Sequence, residues 1–170
     1  MNKKFIPAIS VVIPMYNAEK YIGECLNSIL VQTFQDFEII IVDDCSTDNS
    51  CAVVENFSDD RIKLIRRKDN SGNRPGIPRN MGIRFAFGDY ITFVDSDDAI
   101  TNTALEELYT IAKNFDADVV HSEKYFQAPG NTVTTDKNLL KPFSYEKVNF
   151  VDKPTLITDN LEEHVKDFAA

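Results

Sequence analysis

The chain has 170 residues, 43% hydrophobic and 26% charged, with a formal net charge of −9. These totals suit a soluble globular protein with one core and room for a short appendage. No apolar run approaches the ~20 residues of a membrane-spanning helix. Three cysteines, Cys25, Cys45 and Cys51, are an odd number without CxxC spacing. They argue against a disulfide framework and fit a reducing compartment. Two unclustered histidines argue against a zinc site.

Strand and helix patterns alternate through the first ~125 residues, as in an α/β fold with a largely parallel sheet. The basic start MNKKF is followed by residues 9–14, ISVVIP, too short and too strand-like for a signal sequence. They read as a first strand, in a cytoplasmic protein. Residues 18–32 read as a helix, with Tyr21, Ile22, Cys25, Leu26, Ile29 and Leu30 on one face. Residues 37–42, FEIIIV, form a second strand, uniformly apolar as expected when helices cover both faces. Ser46 or Thr47 is expected to cap a helix over 49–58. Residues 61–65 alternate as a strand nearer an edge, and the breaker-rich stretch 70–78 reads as a loop. A helix over 78–87 stopped by Gly88, a strand over 89–94, a Thr-capped helix over 101–114 and a strand over 117–121 follow. After Phe126 the alternation stops. Residues 127–138 read as a turn-rich excursion and 158–169 as a short acidic helix, so the chain divides into a core over 1–126 and a partial second region over 127–170.

Charge is unevenly spread. Arg61, Lys63, Arg66, Arg67, Lys68, Arg74, Arg79 and Arg84 face a single acid, Asp69, within residues 61–84, leaving about −16 on the remainder. A basic island on an acidic chain reads either as a solvated loop or as the seat of a small anion, and argues against a nucleic-acid track. The acids cluster too. The strand ending at Val94 runs into Asp95-Ser96-Asp97-Asp98, and the second strand into Asp43-Asp44. Parallel sheets bind ligands at the carboxyl ends of their strands, so these turns and Pro14-Met15-Tyr16-Asn17 should share one rim. Several carboxylates beside a basic loop suit Mg²⁺ or Mn²⁺ bridging protein to a phosphorylated ligand; for Asp98, helix capping is the competing reading. An EF-hand counted from Asp95 fails, because Ala99 and Ile100 stand at ligand and glycine places. A dinucleotide fold fails for want of GxGxxG after the first strand. A receiver domain would want its acids after the first and third strands.

The segments VVIPMYNAEKYIGECLNSILVQTFQDFEIIIVDDCSTDNS and NSGN, then PRNMGIRFAFGDYITFVDSDD, resemble the family 2 glycosyltransferases of the GT-A fold. The resemblance covers residues ~9–126, with four motifs in the family's order. It implies a Rossmann-like, mostly parallel sheet flanked by helices on both faces, and inverting transfer of a sugar from a UDP-sugar to an acceptor hydroxyl. By resemblance, Pro14 and Tyr16 line the uracil with Tyr16 stacked on it, Asn17 shapes the turn, and Glu19 takes the family's acidic place. Asp43 and Asp44 meet base and ribose, and Asp44 accepts from the ring N–H. Arg79 serves base or diphosphate, and Asp95, Ser96 and Asp97 form the DxD motif. Asp97 binds Mn²⁺ or Mg²⁺ directly; Asp95 contacts ribose or reaches the metal through water, with Asp98 in support.

Each residue also has a plainer reading: Tyr16 a half-buried aromatic, Arg79 a surface arginine, His121 a core histidine near the sheet, His164 a surface one. Cys45 departs from the glycine common in the family. The general base is not identifiable; Asp136, Asp152, Asp159, Glu162, Glu163 and Asp167 lack the family's context. The chain is therefore expected to be the donor-binding part of a longer enzyme of glycan or polysaccharide synthesis, any membrane association being peripheral. The alternatives are a non-catalytic nucleotide-sugar binding domain and a nucleotidyltransferase. The latter wants a Gly-rich basic signature after the first strand, which PMYNAEK lacks.

Overall fold

Strands β1 (Ile9–Met15) and β2 (Phe37–Asp43) are buried along almost their whole length, as continuous β-branched runs demand when both sheet faces are covered. The computed structural model describes residues 6–72, 74–120 and the backbone of Phe126–Gln127. These two strands pair in parallel, Ile9 opposite Phe37 through Met15 opposite Asp43. Strand β3 (Ile62–Arg66) adds in parallel to β2, and β4 (Tyr90–Phe93) in parallel to β1. The order is therefore β3-β2-β1-β4, the expected Rossmann-like α/β sheet.

Side chains alternate across the sheet with period two. Val11, Ile13, Met15, Phe37, Ile39 and Ile41 pack on one face with Ile22, Leu26 and Ile29 of α1 (Ile22–Leu30). Val54 of α2 (Ser50–Glu55) and Leu105 of α4 (Ala104–Phe115) join the same core. Val12, Ile40 and Val42 point the other way, against Met81 of α3 (Gly76–Phe85). That second layer is thin and close. A Cβ on Gly82 would sit 2.3 Å from Val12 Cγ1, so only glycine lets α3 lie this near the sheet. At Gly88 the obstacle is backbone: a Cβ would stand 2.6 Å from Ser10 N.

Away from the strand carboxyl ends, Glu38 is buried as an anion among donors. Ser10 Oγ and the Phe87 N–H each donate to Oε1 at 2.7 Å, and Lys63 Nζ to Oε2 at 2.6 Å. Burial alone would raise its pKa; the bonds from Lys63, Ser10 and Phe87 outweigh it and hold the carboxyl below its ordinary value.

Several expectations need correction; the helix expected over 78–87 runs instead from Gly76 to Phe85 and ends where Ala86 turns extended, not at Gly88. The helix expected from residue 18 begins at Ile22, because the Ala18 carbonyl first closes a turn with the N–H groups of Tyr21 and Ile22. The fourth helix follows Thr103, not Thr101; Ala99–Ile100 before it forms a short strand β5, antiparallel to β6 (Phe126–Gln127). Residues 117–120 form no strand: a Val-Val pair supplies propensity but no partner, and pairing makes a strand. Ser46 and Thr47 do not cap α2, which follows Asn49; both are turned toward the loop after β1. His121, His164, the helix over 158–169 and the six acids weighed as general base lie outside the described residues.

Candidate functional site

The order β3-β2-β1-β4 places the chain's change of direction between β1 and β4, the point where open α/β sheets form a crevice. A cleft of about 410 Å³ opens there. It gathers Pro14, Tyr16 and Asn17 from the β1 loop, Asp44 from the end of β2, Arg79 from α3, and Asp95, Ser96 and Asp97 from the turn after β4. Eight of the residues singled out in the sequence thus share one cavity. Glu19 and Asp43 are not in its lining.

Both of those acids brace the rim from behind. Glu19 accepts from the Asn49 N–H at 3.1 Å and from Asn49 Nδ2 at 3.2 Å, and its own N–H donates to Asp48 Oδ2 at 3.0 Å. Asp43, 4% exposed, accepts from the Ser46 N–H at 3.2 Å. Between them Asn17 adopts φ 49°, a left-handed conformation that asparagine tolerates. Its N–H donates to Ser46 Oγ at 2.9 Å and its Oδ1 accepts from the Thr47 N–H at 2.8 Å. The Ala18 N–H donates to the fully buried Ser50 Oγ at 2.7 Å. These bonds hold the β1 loop so that Tyr16, 48% exposed, stands at the cleft.

Asp44 lies at the second wall. Its carboxylate accepts from Arg67, from the Ser71 N–H at 3.0 Å and from Ser71 Oγ at 2.5 Å; Asn70 Nδ2 donates to its carbonyl at 2.7 Å. The Ser71 N–H lies 3.0 Å from both carboxylate oxygens, so each oxygen is engaged twice, Oδ1 also by Arg67 and Oδ2 also by the Ser71 hydroxyl. The sequence assigns no binding role to Arg67, Asn70 or Ser71, and Tyr21, expected on the apolar face of the first helix, instead precedes α1 and lines the cleft, 43% exposed. The NSGN stretch contained the signal for Asn70 and Ser71, but Arg67 was indistinguishable from its basic neighbours. Arg61, Lys63, Arg66, Arg67 and Arg79 are each paired with a carboxylate, so most of the basic island is internally neutralised.

At the third wall the Asp98 N–H donates to the Asp95 carbonyl at 3.0 Å, closing the turn, and Cys25 Sγ lies 3.5 Å from the same oxygen. Burial, reinforced by Asp98, Asp97 and Asp95, pushes the Cys25 thiol up to about 12, so it stays a neutral donor. Burial and then the charges of Asp97 and Asp95 raise the Asp98 carboxyl above its ordinary value. Asp97 is exposed, and the Asp95 side chain is paired with Arg79. Among the described residues no group of three or more His, Cys, Asp or Glu side chains could hold a metal ion unaided. The donor set at this turn nevertheless fits Mg²⁺ or Mn²⁺, which take one or two carboxylates and complete their shell with phosphate oxygens and water.

Residues 10–166 match the family described as Glycosyl transferase family 2. The chain belongs to that family. As a family 2 glycosyltransferase it is 45% identical over 119 residues to the glycosyltransferase GlyG of Streptococcus pneumoniae, covering 69% of this chain and 39% of GlyG. It is 34% identical over 165 residues to the glycosyltransferase EpsJ of Bacillus subtilis, covering 96% of this chain and 45% of EpsJ. Among solved structures, TarS 1–349 of Staphylococcus aureus in complex with UDP-GlcNAc superposes with a TM-score of 0.62 at 40% identity, covering 65% of this chain and 32% of that one. This family 2 chain therefore spans less than half the length of these relatives. No helix among its described residues is long and apolar enough to cross a membrane.

Proposed function

We propose that this chain binds a UDP-sugar in the cleft between β1 and β4 and serves metal-assisted, inverting transfer of the sugar to an acceptor hydroxyl in glycan or polysaccharide synthesis. The observation that carries the reading is the convergence of an exposed tyrosine, a hydrogen-bonded carboxylate, an arginine and a diacidic turn on one cleft of a family 2 chain. TarS, similar in sequence and fold, has been solved with UDP-GlcNAc and with UDP.

In this reading Tyr16 stacks on the uracil against Pro14, and Asn17 holds that loop in its left-handed turn. Asp44 accepts from the ring N–H, which distinguishes uracil from cytosine. Arg79 meets the diphosphate with a fork of donors, and Ser96 adds a hydroxyl at the turn. Asp97, with Asp95, would hold Mn²⁺ or Mg²⁺, which when bound would neutralise charge on the departing diphosphate. The acceptor hydroxyl attacks C1 opposite the leaving UDP.

The test is calorimetric titration of UDP into the 170-residue chain with Mn²⁺, with EDTA, and with Asp97→Asn. The reading expects binding that falls about 100-fold on losing either the metal or Asp97. Binding indifferent to both would remove the metal role, and CDP binding as tightly as UDP would remove the role of Asp44.

A further inference from the structure

The donor-site reading asks two residues to engage different partners: Arg79 an anion, Asp95 a cation or ribose. In the structure they engage each other. Arg79 Nη2 is bonded to Asp95 Oδ1, with the side chains 30% and 48% exposed. Each backbone is held by contacts of its own. Asp95 is fixed through its carbonyl, which accepts from the Asp98 N–H and faces Cys25 Sγ. Arg79 sits on α3, which Gly82 lets pack closely against Val12. The two side chains can rearrange without disturbing these contacts.

From this geometry we infer that Arg79 acts as a tethered cation occupying Asp95, so that the DxD turn binds a divalent metal weakly until a nucleotide diphosphate draws the guanidinium away. A guanidinium and a divalent cation on one carboxylate compete for the same lone pairs and repel each other at short range. A diphosphate placed between them reverses the sign of that interaction: it accepts from Arg79, which has five N–H donors, and supplies oxygens to the metal. The pair therefore makes metal and nucleotide binding cooperative by suppressing metal binding when nucleotide is absent. The effect is reciprocal, since the coupling between two ligands is a single free energy. Asp97, at the same turn, bears no such pair among the described residues, so it remains available for the first encounter with metal.

This inference rests on the donor-site reading, and its test separates the two. Mn²⁺ affinity is measured by electron paramagnetic resonance of free Mn²⁺, without and with UDP, for the wild-type chain, Arg79→Gln and Arg74→Gln. Arg74 also lines the cleft, and its replacement removes the same charge without touching the pair. Arg79→Gln should tighten nucleotide-free Mn²⁺ binding about 3- to 10-fold, beyond any change in Arg74→Gln, and shrink the factor by which UDP improves it. The pair is read from its other side with Asp95→Asn against Asp97→Asn. Metal-free UDP binding should tighten more in Asp95→Asn, where Arg79 is released, than in Asp97→Asn, where it is not; this arm stands if Arg79→Gln fails to fold. If UDP and Mn²⁺ bind cooperatively but Arg79→Gln matches Arg74→Gln, the tethered-cation role is wrong and the donor site stands. If the wild-type chain binds neither UDP nor Mn²⁺, both fall.

Discussion

The two sides of the cleft are built differently. On the β1–β2 side the rim is closed by the chain itself: Asn17 to Ser46 and Thr47, Ala18 to Ser50, Glu19 to Asp48 and Asn49, Asp44 to Arg67 and Ser71. On the β4 side the turn is held through backbone and the Cys25 thiol, while its carboxylates crowd one another and only Asp95 is paired with the Arg79 guanidinium. Titration directions follow the same division. At Asp48, burial would raise the pKa, but bonds from the Ser50 hydroxyl, the Ser50 N–H and the Glu19 N–H hold it below the ordinary value. At Asp98, burial and two neighbouring anions raise it. Neutral donors can satisfy a turn from within the chain. A run of like charges is relieved only by a cation, so one side is preorganised for recognition and the other is left responsive to charge.

Breaking the preorganised side should be the more destructive. Arg67→Met leaves the Asp44 carboxylate, 8% exposed, without its counter-charge. Chemical denaturation should show a loss of about 3 kcal/mol, the usual result of removing one partner of a buried pair. Ser50→Ala orphans the Ala18 N–H and removes a donor to Asp48; a loss of about 2 kcal/mol is expected.

The responsive side should answer with the opposite sign. Asp98 has a raised folded pKa, so its ionised form disfavours folding, and that penalty grows as pH rises from the unfolded value of about 3.9 through the folded one. Asp98→Asn should therefore raise Tm at pH 7 by on the order of 2 °C and leave it unchanged in strong acid. Asp48, with its lowered pKa, contributes stability above about pH 3.9 that is lost as pH falls through the folded value. A melting series from pH 7 to pH 2.5 should show Asp48→Asn flattening that acid limb; an unchanged limb would remove the contrast. The smallest effect is expected at Cys45, whose φ of 62° lies where side chains are strained. Cys45→Gly removes a left-handed penalty of about 1–2 kcal/mol against an unfolded-state entropy cost of about 0.4–1 kcal/mol, for a net gain of about 0.5 kcal/mol.

Much of this contrast was present in the chain's text as letters without partners. The DSDD run announced a place that wants positive charge, and Tyr16, Asp44 and Arg79 each fell within a motif. Glu19 and Asp43 were legible as rim residues, but not as braces behind the cleft. Asp43 and Asp44 are adjacent and chemically identical; one is tied into the turn leading to α2, the other faces Arg67 and Ser71 at the cleft. The basic island looked like a site for an anion, yet five of its eight charges are paired internally.

Periodicity alone determined that β1 and β2 are buried strands, that α1 presents an apolar face, and that the fold alternates strand and helix. These properties depend on neighbours three or four residues away at most, so they are written locally. The order β3-β2-β1-β4, the absence of a strand at 117–120 and the pairing of Ala99–Ile100 with Phe126–Gln127 were decided only in three dimensions. So was the meeting of Arg79 with Asp95. In each case the deciding partner lies well over ten residues away along the chain, and a contact at that separation forms only once the core has closed around it.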